Sequence, residues 1–169
     1  KHPVLPFIIT LLFVAHPIHV EVVANIKSRD ELSGFLNFLI SFWLLLQFLD
    51  GGKKIFFGLS ILFYFIALAS KESMLTTLAV IPLALYFFRD YKISKIAVYS
   101  SAYLLVFLIF LAVRNSVLGG THDPTVVNYL DNPLLGAKTF NERWATNFVV
   151  LGMYLKFLLF PHPLISDYS

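Results

Sequence analysis

The 169-residue chain is 58% hydrophobic and 14% charged, with a mean hydropathy of +0.77 and a formal net charge of +3. Soluble domains carry roughly a quarter charged residues, so this balance excludes an ordinary soluble domain and predicts an all-α, polytopic transmembrane helical bundle. Cysteine is absent, which excludes a disulfide framework and thiolate metal sites. The small basic surplus reads as orientation-setting loops and gives no support to nucleic-acid binding.

The first predicted span, 4–15, is short against the roughly 20 residues a crossing needs. The segment HPIHVEVVANIKSRDE (16–31) follows and sets two histidines, five charged residues and a proline between two long apolar runs. Titratable groups are costly beside lipid, so such a cluster marks a candidate functional site. Pro17 suits a first helical position, which puts His16 near the cap and His16, His19 and Glu21 within two turns. Two readings stand for these three: an interfacial helix start with hydrogen-bonded imidazoles, or a group that orients substrate, moves a proton or holds a divalent cation. HPxHxE is not the HExxH zinc pattern and no third ligand is evident, so no metal ligands are assigned. In Arg29-Asp30-Glu31 the two acids suit a helix start, whereas Arg29 opposes the helix dipole and is a candidate for holding an anion.

Four longer spans are predicted at 32–49, 55–69, 74–88 with Pro82 inside, and 96–113. Between them, Lys71-Glu72 sits in a tight polar turn. The pair neutralises itself near lipid, or Lys71 contacts a phosphate with Glu72 orienting it. Arg114 closes the last of these spans, where it either snorkels or grips a lipid phosphate through its planar fork. Residues 114–143 predict a polar loop in which Asp131-Asn132-Pro133 reads as an Asx turn. Residues 144–160 predict a further helix, lying in the interface in preference to crossing it. Ser166-Asp167-Tyr168 reads as a turn or as the polar lip of a sugar site.

Orientation follows from Lys and Arg density. The short loops 50–54 and 89–95 hold Lys53, Lys54, Arg89, Lys92 and Lys95 and are assigned to the cytoplasmic side. Segments 16–31, 70–73 and 114–143 then share the opposite face. Three polar clusters converging there suit surface chemistry, whereas a carrier buries charges near mid-membrane.

The succession HPIHVEVVANIKSRDEL, ALASKES, LDNP, ERWAT and YLKFLLFPHPLISDYS resembles the membrane part of the transmembrane and tetratricopeptide-repeat (TMTC) O-mannosyltransferases, nearest their bacterial relatives. The matching stretches are 14–32, 69–73, 131–133 and 158–169, in order along nearly the whole chain. The resemblance implies a GT-C type glycosyltransferase of the bacterial inner membrane, taking a sugar from a polyprenyl phosphate on the periplasmic face and passing it to an acceptor, a protein hydroxyl. It further implies that the chain is an internal piece of a longer protein, with a catalytic acid upstream of residue 1 and tetratricopeptide repeats downstream that recruit the acceptor. Arg29, Lys71 and Arg114 are then expected to hold the lipid phosphate. His16, His19, Glu21, Asp30, Glu72, Asp131, Asn132, Asp167 and Tyr168 are expected to orient substrate, with a divalent cation left open. The alternatives are a non-enzymatic membrane scaffold for the repeats and a carrier of lipid-linked sugars.

Overall fold

Among the residues that the computed structural model describes, 4–89, 91–118 and 139–162, every regular element is helical. Apolar runs beside lipid require this, because a helix satisfies its own backbone N–H and C=O groups without water. The α-helices in chain order are α1 (Val4–Ala15), α2 (Val20–Ala24), α3 (Arg29–Leu49), α4 (Lys54–Ser70), α5 (Thr77–Arg89), α6 (Ile93–Leu118) and α7 (Phe140–Leu159). Single 3-10 turns at Pro17–His19, Ile26–Ser28 and Glu72–Thr76 lead into α2, α3 and α5.

Three described stretches are long and apolar enough to cross a membrane: Ile26–Leu49, Glu72–Arg89 and Ile93–Val117. The chain is therefore a membrane protein. The pair α1 and α2, bent by 49°, qualifies as a fourth span when taken together. α4 is apolar but has 17 residues and is shorter than a crossing of this kind. Of the five expected spans, three or four meet the length and composition of a crossing among the described residues: α1 reaches that length only together with α2, and α4 falls short alone. α7, which carries Glu142, Arg143 and Lys156, is not among the spanning helices.

The chain divides into two units. In the first, α1 is apolar on every face and buries no residue. α7 starts with a capping box: the Glu142 N–H donates to Thr139 Oγ1 (3.3 Å) and the Thr139 N–H donates to Glu142 Oε2 (3.1 Å). Two of the helix's orphan donors are satisfied this way.

In the second unit α3 packs on α4, α4 on α6, and α6 on α5. Phe38 and Leu45 of α3, Tyr64 and Leu68 of α4, Ile81 and Leu85 of α5, and Ile96, Tyr103 and Val106 of α6 form its core. Between helices in lipid the hydrophobic effect is weak, so small residues and interhelical hydrogen bonds set the contact. The α3–α4 seam follows that rule. Ser41 Oγ donates to the Ser60 carbonyl (2.7 Å), Ser60 Oγ donates to the Ser41 carbonyl (2.6 Å), and the Tyr103 hydroxyl of α6 lies 2.5 Å from Ser60 Oγ. Such bonds contribute about 0.6 kcal/mol each in bilayers. Nearer one end of the seam a Cβ on Gly34 would come within 2.9 Å of Met74 Cγ and 3.4 Å of both the Ala67 carbonyl and Lys71 Cβ. The missing side chain is what lets α3 approach the α4 end.

The other end of the seam is closed by a glycine turn. Gly51 sits at φ +91°. Its N–H donates to the Phe48 carbonyl (3.2 Å) and the Gly52 N–H to the Gln47 carbonyl (3.0 Å), the paired bonds of a Schellman cap. A Cβ on Gly52 would collide with the Gln47 carbonyl. The sequence Asp50-Gly51-Gly52 is thus dictated by the turn. Arg89, at the end of α5, donates to both carboxylate oxygens of Asp50 and ties α5 to this turn.

Candidate functional site

At the Gly34 end of the second unit, three chain segments bring charged side chains together. Asp30 and Glu31 come from the first turn of α3, where carboxylates suit the helix dipole. Lys71 and Glu72 come from the junction between α4 and the following 3-10 turn. Lys71 is extended there (φ −151°, ψ 127°), ending one helix and starting the next turn. Arg114 comes from the last turns of α6.

Lys71 Nζ donates to Asp30 Oδ2 at 2.8 Å and lies 3.3 Å from Glu31 Oε1. The hydrogen bond to Asp30, and then the one to Glu31, holds the Lys71 ammonium above its ordinary pKa of 10.5, so it is charged throughout the physiological range. Arg114 Nε donates to Glu72 Oε1 at 2.5 Å. Its terminal nitrogens make no hydrogen bond with a described residue. The cluster therefore holds three carboxylates against two cations. All five side chains are partly exposed, between 34% for Lys71 and 62% for Glu72, so water screens these pairs and partner exchange is cheap.

Asp30, Lys71, Glu72 and Arg114 stand at a cavity of about 620 Å³. Its remaining wall is mainly apolar, with Phe65 and Leu68 from α4 and Phe110, Val113 and Val117 from α6. Phe65 and Phe110 meet edge to face with ring centroids 6.5 Å apart. One cavity thus offers an apolar wall and two cations at the end of the helices. Both cations there already carry a carboxylate partner.

The residues singled out in the sequence divide accordingly. Lys71, Arg114, Asp30 and Glu72 meet in the second unit. The pairing differs from the neighbour pairs expected there. Lys71 takes Asp30 and Glu31 instead of Glu72, because its extended backbone separates the two adjacent side chains, and Glu72 takes Arg114. Arg29 is exposed and makes no ion pair with a described residue, so it stands outside the group. Gly34 and the two phenylalanines are the participants that sequence patterns did not single out, and Glu31, read there as a helix-start acid, also meets Lys71. A glycine within the apolar run of α3 was the one available signal of close approach.

His16, His19 and Glu21 belong to the first unit. His16 caps the Pro17–His19 turn: its Nδ1 accepts from the Ile18 N–H (3.3 Å), and Nε2 lies 3.2 Å from the Leu158 carbonyl of α7. Both ring nitrogens are engaged locally, which fits the hydrogen-bonded imidazole of the two readings. His19 packs on Phe13 with ring centroids 4.6 Å apart, and Glu21 is exposed. Among the described residues no group of three His, Asp or Glu is placed to hold a metal ion. Asp131, Asn132, Asp167 and Tyr168 lie outside the described residues.

No family model, curated protein or solved structure matches the chain.

Proposed function

We propose that the protein is the membrane part of a GT-C type glycosyltransferase similar to the TMTC O-mannosyltransferases. It acts on the periplasmic face of a bacterial inner membrane with a polyprenyl-phosphate sugar as donor. In this proposal α1 with α2, α3, α4, α5 and α6 make five passages, α4 traversing as a short helix, and α7 lies in the interface. One observation carries the proposal: Lys71 and Arg114 stand together at a cavity whose other wall is apolar. The apolar wall of α4 and α6 suits a prenyl chain, and the cations suit the phosphate that joins it to the sugar.

The chemistry of such a donor defines what these residues do. The acceptor hydroxyl gives its proton to a base outside this cluster and attacks the anomeric carbon, the carbon–oxygen bond to the lipid phosphate breaks, and the electron pair stays on the phosphate oxygen. Cations at that oxygen stabilise the developing charge. Because Asp30, Glu31 and Glu72 already sit on Lys71 and Arg114, the phosphate enters by exchanging for a carboxylate or by taking the terminal nitrogens of Arg114. The same pairing leaves these carboxylates poorly placed to deprotonate the acceptor, so the cluster is assigned donor binding.

The test is transfer of labelled sugar from polyprenyl phosphate by the full-length protein in membranes. Arg114→Ala removes a charge-assisted contact of about 1.5–3 kcal/mol, roughly a ten- to hundred-fold loss in donor use. Arg114→Lys restores part of it, since a point charge lacks the fork. Thermal stability stays near wild type because the released Glu72 is largely in water. Full activity in Arg114→Ala removes Arg114 from the site. No transfer by the wild-type protein with any polyprenyl-linked sugar returns the scaffold as the better account.

A further inference from the structure

We propose that the lysine-rich end of the second unit, opposite the cavity cluster, is a binding surface for anionic phospholipid headgroups. The Schellman turn after α3 and the Arg89–Asp50 pair bring the loop before α4 and the loop before α6 to one end of the unit. Lys53 and Lys54 stand on the first loop, Lys92 and Lys95 on and just after the second, and all four are exposed. Arg89 is committed to Asp50, whereas none of the four lysines forms an ion pair with a described residue. By sequence this end carries five cations, Arg89 and the four lysines, against two acids, Asp50 and Asp90, so its charge is positive.

The partner is identified by what lies beside the lysines. Ile55 follows Lys54 and is 59% exposed, Phe88 precedes Arg89 and is 82% exposed, and Ile93 follows Lys92 and is 75% exposed. A soluble polyanion would cover the ammonium groups and leave these side chains in water. A lipid boundary accepts both, with phosphates for the lysines and acyl chains for the apolar neighbours. The spans Ile26–Leu49, Glu72–Arg89 and Ile93–Val117 all terminate here, which sets the lysines at headgroup depth. Tyr91 and Tyr99 face each other with ring centroids 6.5 Å apart, and Tyr99 stands 6.0 Å from both Phe48 and Phe57. Lys95 Nζ lies 5.8 Å from the Tyr91 ring centroid. Rings with polar tips at a bilayer boundary anchor that depth. This surface is independent of any sugar transfer at the other end.

The experiment titrates the full-length protein in neutral detergent with phosphatidylglycerol or phosphatidylcholine and counts retained lipid by native mass spectrometry. The wild type is expected to retain phosphatidylglycerol in clear excess. Each lysine near a charged surface contributes about fivefold in affinity at low salt, so Lys53→Gln/Lys54→Gln/Lys92→Gln/Lys95→Gln brings retention down to the phosphatidylcholine level. The same four positions changed to Arg keep the excess. If the four-site Gln variant fails to fold, Lys53→Gln/Lys54→Gln and Lys92→Gln/Lys95→Gln separately carry the test, each losing part of the excess. Equal retention of the two lipids by the wild type overturns the proposal, as does undiminished phosphatidylglycerol in the Gln variants. Soluble glycerol phosphate displacing the lipid at matched concentration also overturns it, because the site would then serve a free phosphate.

Discussion

The two ends of the α3–α6 unit are built from the same residue types and do different things with them. At the Asp50 end a bidentate pair, Arg89 to Asp50, closes on a glycine turn, and the spare lysines point to exposed surface. At the Asp30 end the ion pairs cross between three segments and stand at a cavity with an apolar wall. One pair braces a turn; the other pairs stand beside a space. Charge alone does not mark a candidate site in a membrane protein. What distinguishes the two ends is that the paired charges of one border a hollow of about 620 Å³ with an apolar wall, whereas the space beside Lys95 and Tyr99 at the other is about 210 Å³ and no ion pair lines it.

The backbone at each end provides the largest way to break this contrast. Gly34→Val inserts a branched side chain where even a Cβ meets Met74 and Lys71. Overpacking of that kind costs about 1–3 kcal/mol. Thermal unfolding should fall accordingly, and binding of a polyprenyl phosphate should weaken because Lys71 is pushed from its place. Unchanged binding in a folded Gly34→Val protein would mean that the α3–α4 approach does not set the site. Gly51→Ala is smaller. It forces a Cβ into the left-handed conformation at a cost of about 1–2 kcal/mol, visible in thermal unfolding. Donor binding should be untouched, since the turn lies at the opposite end.

The smallest effect is that of pH on Lys71. Its folded pKa is raised by Asp30 and Glu31, so the stability it contributes is fully present below 10.5 and is lost as pH rises through the higher folded value. The difference in melting temperature between wild type and Lys71→Gln should therefore stay flat from neutral pH to about 10 and shrink only above that range. A difference that shrinks between pH 7 and 9 would contradict the pairing.

Much of the helical layout is legible in the sequence because apolar runs and their polar punctuation carry it. Val4–Ala15 is bounded by His16-Pro17, α3 by the Asp50-Gly-Gly turn, and α5 runs through Pro82 as a helix beside lipid can. The number of crossings is less legible, because it depends on how α1 joins α2 across a 49° bend and on the 17 residues of α4. Lys71, Glu72, Asp30 and Arg114 stand out as polar residues at the ends of apolar runs. Their partners do not, because Lys71 meets Asp30 across 41 positions and Arg114 meets Glu72 across 42. Sequence neighbours suggest Lys71 with Glu72. The extended backbone at Lys71, a feature of the helix break itself, sends the two side chains to different partners.

In the proposed function the Asp30–Lys71–Glu72–Arg114 end receives the polyprenyl phosphate, and the Asp50–Arg89 pair takes no part in binding that donor. The most direct measurement is binding of one polyprenyl phosphate, in detergent and at fixed salt, to the full-length wild type, to Lys71→Ala/Arg114→Ala and to Asp50→Ala/Arg89→Ala. The first double variant is expected to lose at least tenfold in affinity, about 1.4 kcal/mol, while the second binds as the wild type does. Equal losses in both variants, or a loss only in the second, would contradict that assignment.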